Sequence, residues 1–171
     1  MKSNKNLFTK ISEPDDENLC FVLMPFIPEM DELYKKTIKP TIEELGMECI
    51  RADEIYRVGS IIDQIWSYIQ VAGIIIADLT NRNPNVLYEL GLAHASDKKV
   101  ILLTQSIEDI PFDLRHLRCI DYDNTHRGVQ KLKHSLIETL KLHIAEAGKP
   151  KLSGNSPPFP LINVNVDGFV L

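Results

Sequence analysis

Tryptophan occurs once in 171 residues and cysteine three times, and no apolar run approaches the ~20 residues that a membrane-spanning helix needs. That last absence excludes a helical membrane protein. Cys20, Cys49 and Cys119 stand far apart, with neither the paired spacing of a zinc site nor the density of a disulfide framework. Each sits in an apolar, strand-like setting, so free buried thiols in a reducing cytoplasm are expected. An excess of positive charge is lacking too: 24 acidic residues outnumber 19 basic ones, for a formal net charge of -5. With no basic stripe, generic nucleic-acid binding and anionic membrane surfaces are not expected, although one local basic pocket can still hold a phosphate. The histidines show no metal-ligand spacing, and neither a metal nor a resident cofactor is expected. The segment Met1–Asn18 is polar and has no apolar core of the signal-peptide kind, which agrees with a cytoplasmic protein.

What is present is an alternation of short strand-like runs with longer helical ones. At 171 residues, 44% of them hydrophobic, the chain is long enough for one domain with a proper core but not for two full domains. Strands are expected at Leu19–Phe26, Met47–Arg51, Gly73–Ala77, Lys99–Thr104 and Leu117–Tyr122. The run GIIIA is β-branched without a break, so it should be covered on both faces, as in a parallel sheet. Helical spacing marks Met30–Leu45, where Pro40 must kink or split the helix and Gly46 is placed to stop it. Ser60, with Asp63 three residues on, caps a helix over Ile61–Val71. Asn83-Pro84 opens another, which runs to about Ser96. Gly128–Ala147 is an amphipathic last helix. Five alternations give a flavodoxin-like, doubly wound α/β fold: a five-stranded parallel sheet in the order 2-1-3-4-5 with helices on both faces. One domain is expected over residues 19–147, after a polar segment 1–18 and before a Pro/Gly/Ser-rich linker and tail, 148–171. The alternating stretch Leu161–Leu171 could add a strand.

In such sheets ligands bind beyond the carboxyl ends of the strands, where the winding reverses between the first and third. The first strand ends at Met24-Pro25-Phe26. The third ends at Asp78 and continues through Leu79, Thr80, Asn81 and Arg82 to Asn83, a polar loop that meets a helix amino terminus. Two readings stand for Asp78: a ligand-holding carboxylate at the rim, or a turn aspartate bonded to the backbone of Thr80 or Asn81. Asn83 and Asn85 read as caps, and a helix-start amide can also hold a sugar hydroxyl. Glu89 lies among Val86, Leu87, Leu90 and Leu92, where a carboxylate is costly to bury without a partner. Gly91 inside the helix suggests the close approach of backbone or ligand. Arg51 could meet a phosphate and Asp53 or Glu54 a ribose; a solvated loop is the plainer reading there. His94, among alanines, reads as packed. Phe112–Arg115 is a further loop that can reach the rim.

The runs FVLMPF (21–26), IKPTIEELGMECIRADEI (38–55), IIIADLTNRNPNVLYELGLAHA (74–95), KKVILLTQ (98–105) and IPFDLR (110–115) together resemble the bacterial nucleoside 2-deoxyribosyltransferase-like group, whose members are often described as TIR-like, nucleotide-binding proteins. The resemblance covers Leu19 to Tyr122. It implies a nucleoside, nucleotide or NAD as ligand and Glu89, in YELGLAHA, as the carboxylate that attacks the anomeric carbon of the sugar. It further implies Asp78 as the residue that orients sugar hydroxyls or assists the base, with substrate contacts from Met24, Pro25, Phe26, Arg51, Asp53, Thr80, Asn83 and Asn85. Cleavage or exchange of an N-glycosidic bond is the implied activity. The alternative is a nucleotide-sensing module of a bacterial signalling or defence system. Related folds complete their sites across a dimer, so a homodimer is a natural expectation. The transferases commonly carry an acidic residue six positions before the nucleophile, where this chain has Asn83. Its only tryptophan, Trp66, lies on the helix before, outside the pattern of typical TIR domains.

Overall fold

The structure is a computed structural model that describes residues 15–55 and 60–147. The tail 148–171, including the strand expected at Leu161–Leu171, and residues 1–14 of the polar amino-terminal segment lie outside the described residues. Five strands form one sheet: β1 (Asp16–Leu23), β2 (Glu48–Arg51), β3 (Ala72–Asp78), β4 (Val100–Thr104) and β5 (Cys119–Asp121). Their order is β2-β1-β3-β4-β5 and every neighbouring pair is parallel. This is the order expected from the alternation of elements. The helices are α1 (Pro28–Leu33), α2 (Lys39–Glu43), α3 (Ile61–Val71), α4 (Pro84–Ala95) and α5 (His126–Ala147). No helix among the described residues is long and apolar enough to cross a membrane.

All seven residues of β3 are buried, and they divide between two cores. Ile74 and Ile76 join Cys20, Val22, Ile101 and Leu103 under α1, α2, the turn between them and α5, where Met30, Tyr34, Ile38, Ile42, Leu132, Leu136 and Leu140 close that side. Ile75 and Ala77 join Phe21, Leu23 and Leu102 beneath α3 and α4, which contribute Ile65, Ile69, Val86, Leu90 and Ala93. Each fully buried side chain of this size contributes about 1.5–3 kcal/mol of transfer free energy, so both helical layers are needed to hold the sheet. Cys20 and Cys49 are buried free thiols, whereas Cys119 is only half-buried.

The helix expected over Met30–Leu45 stays continuous from Pro28 to Glu43 but changes its winding midway. Between α1 and α2, Tyr34–Ile38 forms a π-helical turn in which the Lys39 N–H donates to the Tyr34 carbonyl, and Pro40 falls in the first turn of α2. A proline clashes with the carbonyl one turn back, and the wider π turn makes room for it. The first strand begins earlier than expected and stops at Leu23. Pro25, two residues on, has no N–H to extend the ladder.

Gly73 and Gly91 serve opposite purposes. A Cβ at Gly73 would sit 2.5 Å from the Cα of Glu17, at the irregular start of the β1–β3 pairing. A Cβ at Gly91 would meet nothing within 4 Å, so among the described residues no backbone outside the helix approaches there. Gly73→Ala should therefore lower the unfolding free energy by about 1–3 kcal/mol through overpacking against backbone. Gly91→Ala should raise it by up to ~1 kcal/mol through helix propensity. Urea midpoints of the two variants test the pair, and a destabilised Gly91→Ala would show that the open space has another purpose.

Candidate functional site

Asp78 ends β3 on the face of Ile74 and Ile76, and it is fully buried. Its Oδ1 accepts the Thr80 N–H at 3.0 Å, and its Oδ2 accepts the Tyr122 O–H at 2.5 Å. Burial pushes the carboxyl above its usual range; the Thr80 and Tyr122 bonds pull it back, and the charge of Asp109 adds to the rise. Tyr122 also receives the Gln105 amide at 3.3 Å and touches the Met30 sulfur at 3.5 Å. The Gln105 N–H donates to the Thr80 hydroxyl at 3.1 Å. One network thus ties the carboxyl ends of β3, β4 and β5 to α1. Thr80, at 4% exposure, belongs to this network and not to an open surface.

After Asp78 the chain makes a 3₁₀ turn, Thr80–Arg82, in which Asn81 (φ 60°) and Arg82 (φ 50°) are both left-handed. That conformation costs a residue such as arginine about 1–2 kcal/mol. Asn83 then caps α4: its Oδ1 accepts the N–H groups of Asn85 (3.0 Å) and Val86 (3.3 Å). Pro84 occupies the first helical position, where a missing N–H costs nothing. The amide of Asn83 is therefore engaged by the helix, and Asn85 is exposed.

On α4 the buried stripe is Val86, Leu90 and Ala93. At 100° per residue, Glu89 and His94 fall on opposite flanks of it. His94 feels the charge of His116, in the segment before β5, and its pKa is lowered by burial and then by that charge. The flank of Glu89 is therefore turned the other way, toward α3 and β1, where α4 packs. Glu89 is half-buried and has no hydrogen-bond or ion-pair partner among the described residues; burial alone pushes its carboxyl up to about 7. Asp78 and Glu89 belong to opposite faces of the sheet, so they can address a common ligand only over the strand ends.

The third group surrounds Arg51, at the end of β2. Arg51 is 2% exposed. Its Nη2 bonds Asp31 at 2.6 Å, and its Nε and Nη2 bond the two oxygens of Asp53 at 2.6 Å each. The guanidinium lies 4.3 Å from the Tyr34 ring centroid and 5.7 Å from that of Phe26, with the Met24 sulfur at 3.9 Å. Burial opposes its charge, but the bonds to Asp53 and Asp31 hold its pKa above the ordinary value. With its donor fork filled by two carboxylates, Arg51 is neither the free phosphate ligand nor the solvated loop residue that the sequence suggested. Lys39 is likewise engaged, by Glu54 at 2.8 Å, and Glu54 also receives the Tyr34 hydroxyl at 2.6 Å. A cleft of about 510 Å³ beside β2 is lined by these already paired charges. Met24 and Pro25 are buried, and Phe26, 60% exposed, is the open member of its loop. Phe112 is 83% exposed, at the edge of the β4–β5 connection.

The ten predicted site residues thus fall into two groups. Asp78, Thr80, Asn83, Asn85 and Glu89 run through the loop after β3 and along α4. Met24, Pro25, Phe26, Arg51 and Asp53 gather at the ends of β1 and β2. The groups meet in register, since Met24 and Asp78 lie one step beyond the Leu23–Ala77 pair. Sequence reasoning missed Tyr122, Gln105 and Asp31. The first two carry a usable signal, because each is the first residue beyond a parallel strand.

Tyr122→Phe removes the donor from the buried Asp78 Oδ2 and leaves only the Thr80 bonds, at a cost of about 1–3 kcal/mol. A double-mutant cycle with Asp78→Asn should return a coupling of about 1 kcal/mol or more in chemical denaturation. Additive effects would mean that the two side chains act independently.

No family profile matches the chain, and no curated protein matches it in sequence. Solved structures do match. A 2-deoxyribosyltransferase from Leishmania mexicana is 19% identical over 52% of this chain and 65% of that one, with a TM-score of 0.44. The chain thus spans just under two thirds of that protein. A 2-deoxyribosyltransferase from Bacillus psychrosaccharolyticus is 17% identical over 71% of this chain and 95% of that one, with a TM-score of 0.52. The CMP N-glycosidase of Clostridium botulinum is 25% identical over 68% of this chain and 98% of that one, with a TM-score of 0.50. Sheet order and helix placement together give this chain the fold of the nucleoside 2-deoxyribosyltransferase-like proteins.

Proposed function

We propose that the chain cleaves or exchanges the N-glycosidic bond of a nucleoside or nucleotide, with Glu89 as the nucleophile. The observation that carries this reading is the state of Glu89: a half-buried carboxyl with no partner among the described residues, raised to about 7 by burial, on the flank of α4 opposite His94. A surface glutamate would have an ordinary pKa, and a structural one would have a partner. The likeness in fold to a CMP N-glycosidase and to 2-deoxyribosyltransferases supports the same class of chemistry.

In this scheme the ionised Glu89 bonds to the anomeric carbon as the bond to the base breaks, and its electron pair leaves on the base nitrogen, which takes up a proton. Water, or a second base, then attacks the anomeric carbon and releases the carboxylate. Asp78 supports the site from below, through Tyr122 and the loop to α4. Substrate contacts come from Phe26, the exposed residue of the β1 loop, and from Asn85 at the start of α4, while Met24, Pro25, Arg51, Asp53, Thr80 and Asn83 shape the walls.

A second reading, nucleotide binding without turnover, draws on Asn83: its amide is engaged in capping and supplies no titratable proton. One assay separates the two. The purified chain is incubated with deoxynucleosides, nucleoside monophosphates and NAD, and released base is followed by chromatography. Release that is lost at least 100-fold in Glu89→Gln supports the enzyme. Tight binding with no release from any substrate favours the binding module.

The pH dependence has a definite sign. A nucleophile must be ionised, so kcat/KM should rise with pH and level off above about 7. Stability runs the other way. The folded pKa of Glu89, about 7, lies above the unfolded value of ~4.3. Between these values the folded chain keeps a proton that the unfolded chain has released, so this contribution, complete below pH ~4, is lost as pH rises to about 7. Glu89→Gln should therefore raise Tm by about a few degrees at pH 8 and leave it nearly unchanged at pH 4. An equal change at both pH values would show that Glu89 is not held neutral by the fold.

A further inference from the structure

The left-handed pair Asn81–Arg82 is the last backbone before the cap of α4, so its conformation sets where that helix begins and where Glu89 points. Neither residue is glycine, and the turn needs restraint from elsewhere to persist. Most of that restraint comes from one neighbouring segment, the connection from β4 to β5. The Asn81 N–H donates to Asp109 Oδ2 at 2.8 Å. The Arg82 guanidinium donates to the Glu108 carbonyl, and its Nε lies 4.0 Å from Asp109 Oδ1. Thr80 receives the Gln105 N–H, as described above. Asp109 is itself fixed, because it closes a 3₁₀ turn, Ile107–Asp109, with its N–H on the Ser106 carbonyl at 2.9 Å. Its side chain is 20% exposed. It contacts the turn and lies on a different connection from every predicted substrate contact.

We infer that Asp109 is a positioning residue for the proposed glycosidic reaction: its carboxylate latches the β4–β5 connection to the strained turn before α4 and so aims Glu89. Asp109 does not touch the substrate. What it supplies is an acceptor for one backbone N–H at the point where the chain has the least conformational freedom to spare. Its negative charge is secondary, because the bond to Asn81 needs an oxygen and not a full charge. The substitution that keeps the oxygen should therefore keep the function, and the one that removes it should not.

This inference rests on the reading of Glu89 as nucleophile, and its test has one arm that needs no turnover. Wild type, Asp109→Asn and Asp109→Ala are compared, with Asp109→Leu, which keeps the side-chain volume but no acceptor, in place of the alanine variant should that fail to fold. In the first arm the Glu89 side-chain carboxyl is titrated by carbon-detected NMR. The wild type and Asp109→Asn should titrate alike, and in Asp109→Ala the pKa should fall toward the ordinary glutamate range as α4 loosens and water reaches the carboxyl. In the second arm base release is measured. Asp109→Ala should lose about 10-fold or more in kcat with KM within about 2-fold, and Asp109→Asn should stay within about 3-fold of wild type. Unchanged Glu89 titration in Asp109→Ala overturns the latch, whatever the kinetics. A loss in Asp109→Asn equal to that in Asp109→Ala overturns it too, because charge and not the acceptor would then be at work. If no chain releases base but the titrations behave as expected, the catalytic reading fails and the latch stands.

Discussion

Strand β3 has no face in water, and most of the molecule can be read as the consequence of that. Seven consecutive buried residues, alternating between two cores, require a helical layer on each side of the sheet. Parallel pairing and right-handed crossovers then oblige the winding to reverse at the centre, between β1 and β3, and a reversal leaves the strand ends there uncovered by either crossover. An opening at the strand ends is thus the expected by-product of how an almost wholly apolar strand is buried. The same constraint draws Asp78, the last residue of β3, into dry surroundings. A carboxylate in that position must be met by donors, and Thr80 and Tyr122 meet it. From that pairing follow the seating of Tyr122 on Met30, the Gln105 bonds and the course of the loop toward α4.

Local chemistry was the legible part of the chain. The β-branched run in β3, the serine and asparagine that accept backbone N–H groups at the starts of α3 and α4, and the proline after Asn83 act within a few residues, so their meaning does not depend on what folds against them. Contacts that join distant segments were not legible. Nothing near Arg51 announces that Asp31, 20 residues away, will fill its donor fork, and a basic residue after a strand looks the same whether it is free or enclosed. Gly91 shows a related gap: periodicity tells which face a residue takes, but not whether space lies beside it. Asp78 suited both ligand chemistry and turn chemistry in the sequence, and the structure shows the turn bond together with a phenol that no local pattern could supply.

The surroundings of Arg51 and of Glu89 handle charge in opposite ways. Around Arg51 the fold gathers two carboxylates and two aromatic rings on a single guanidinium, so a buried cation is neutralised at once and the region behaves as a rigid wall. Around Glu89 the described residues supply no hydrogen-bond or ion-pair partner. Burial there raises the carboxyl to about 7, with no neighbouring charge to pull it back. The contrast matters more than either feature alone, because a site with every charge paired is inert and one with every charge exposed is indifferent to what binds.

The π-helical turn between α1 and α2 ties these regions together. From Pro28 to Glu43 the chain is one unbroken helical rod, and it carries Met30 beneath Tyr122 at one point and the ring of Tyr34 over Arg51 at another. The extra residue accommodated in that turn fixes the angle between everything before it and everything after it. Loss of a single residue there would rotate one half of the rod by about 100° against the other and unseat one of the two contacts. For this stretch of chain, length is under tighter constraint than chemistry: descendants of the sequence can exchange side chains along the rod but cannot alter how many there are.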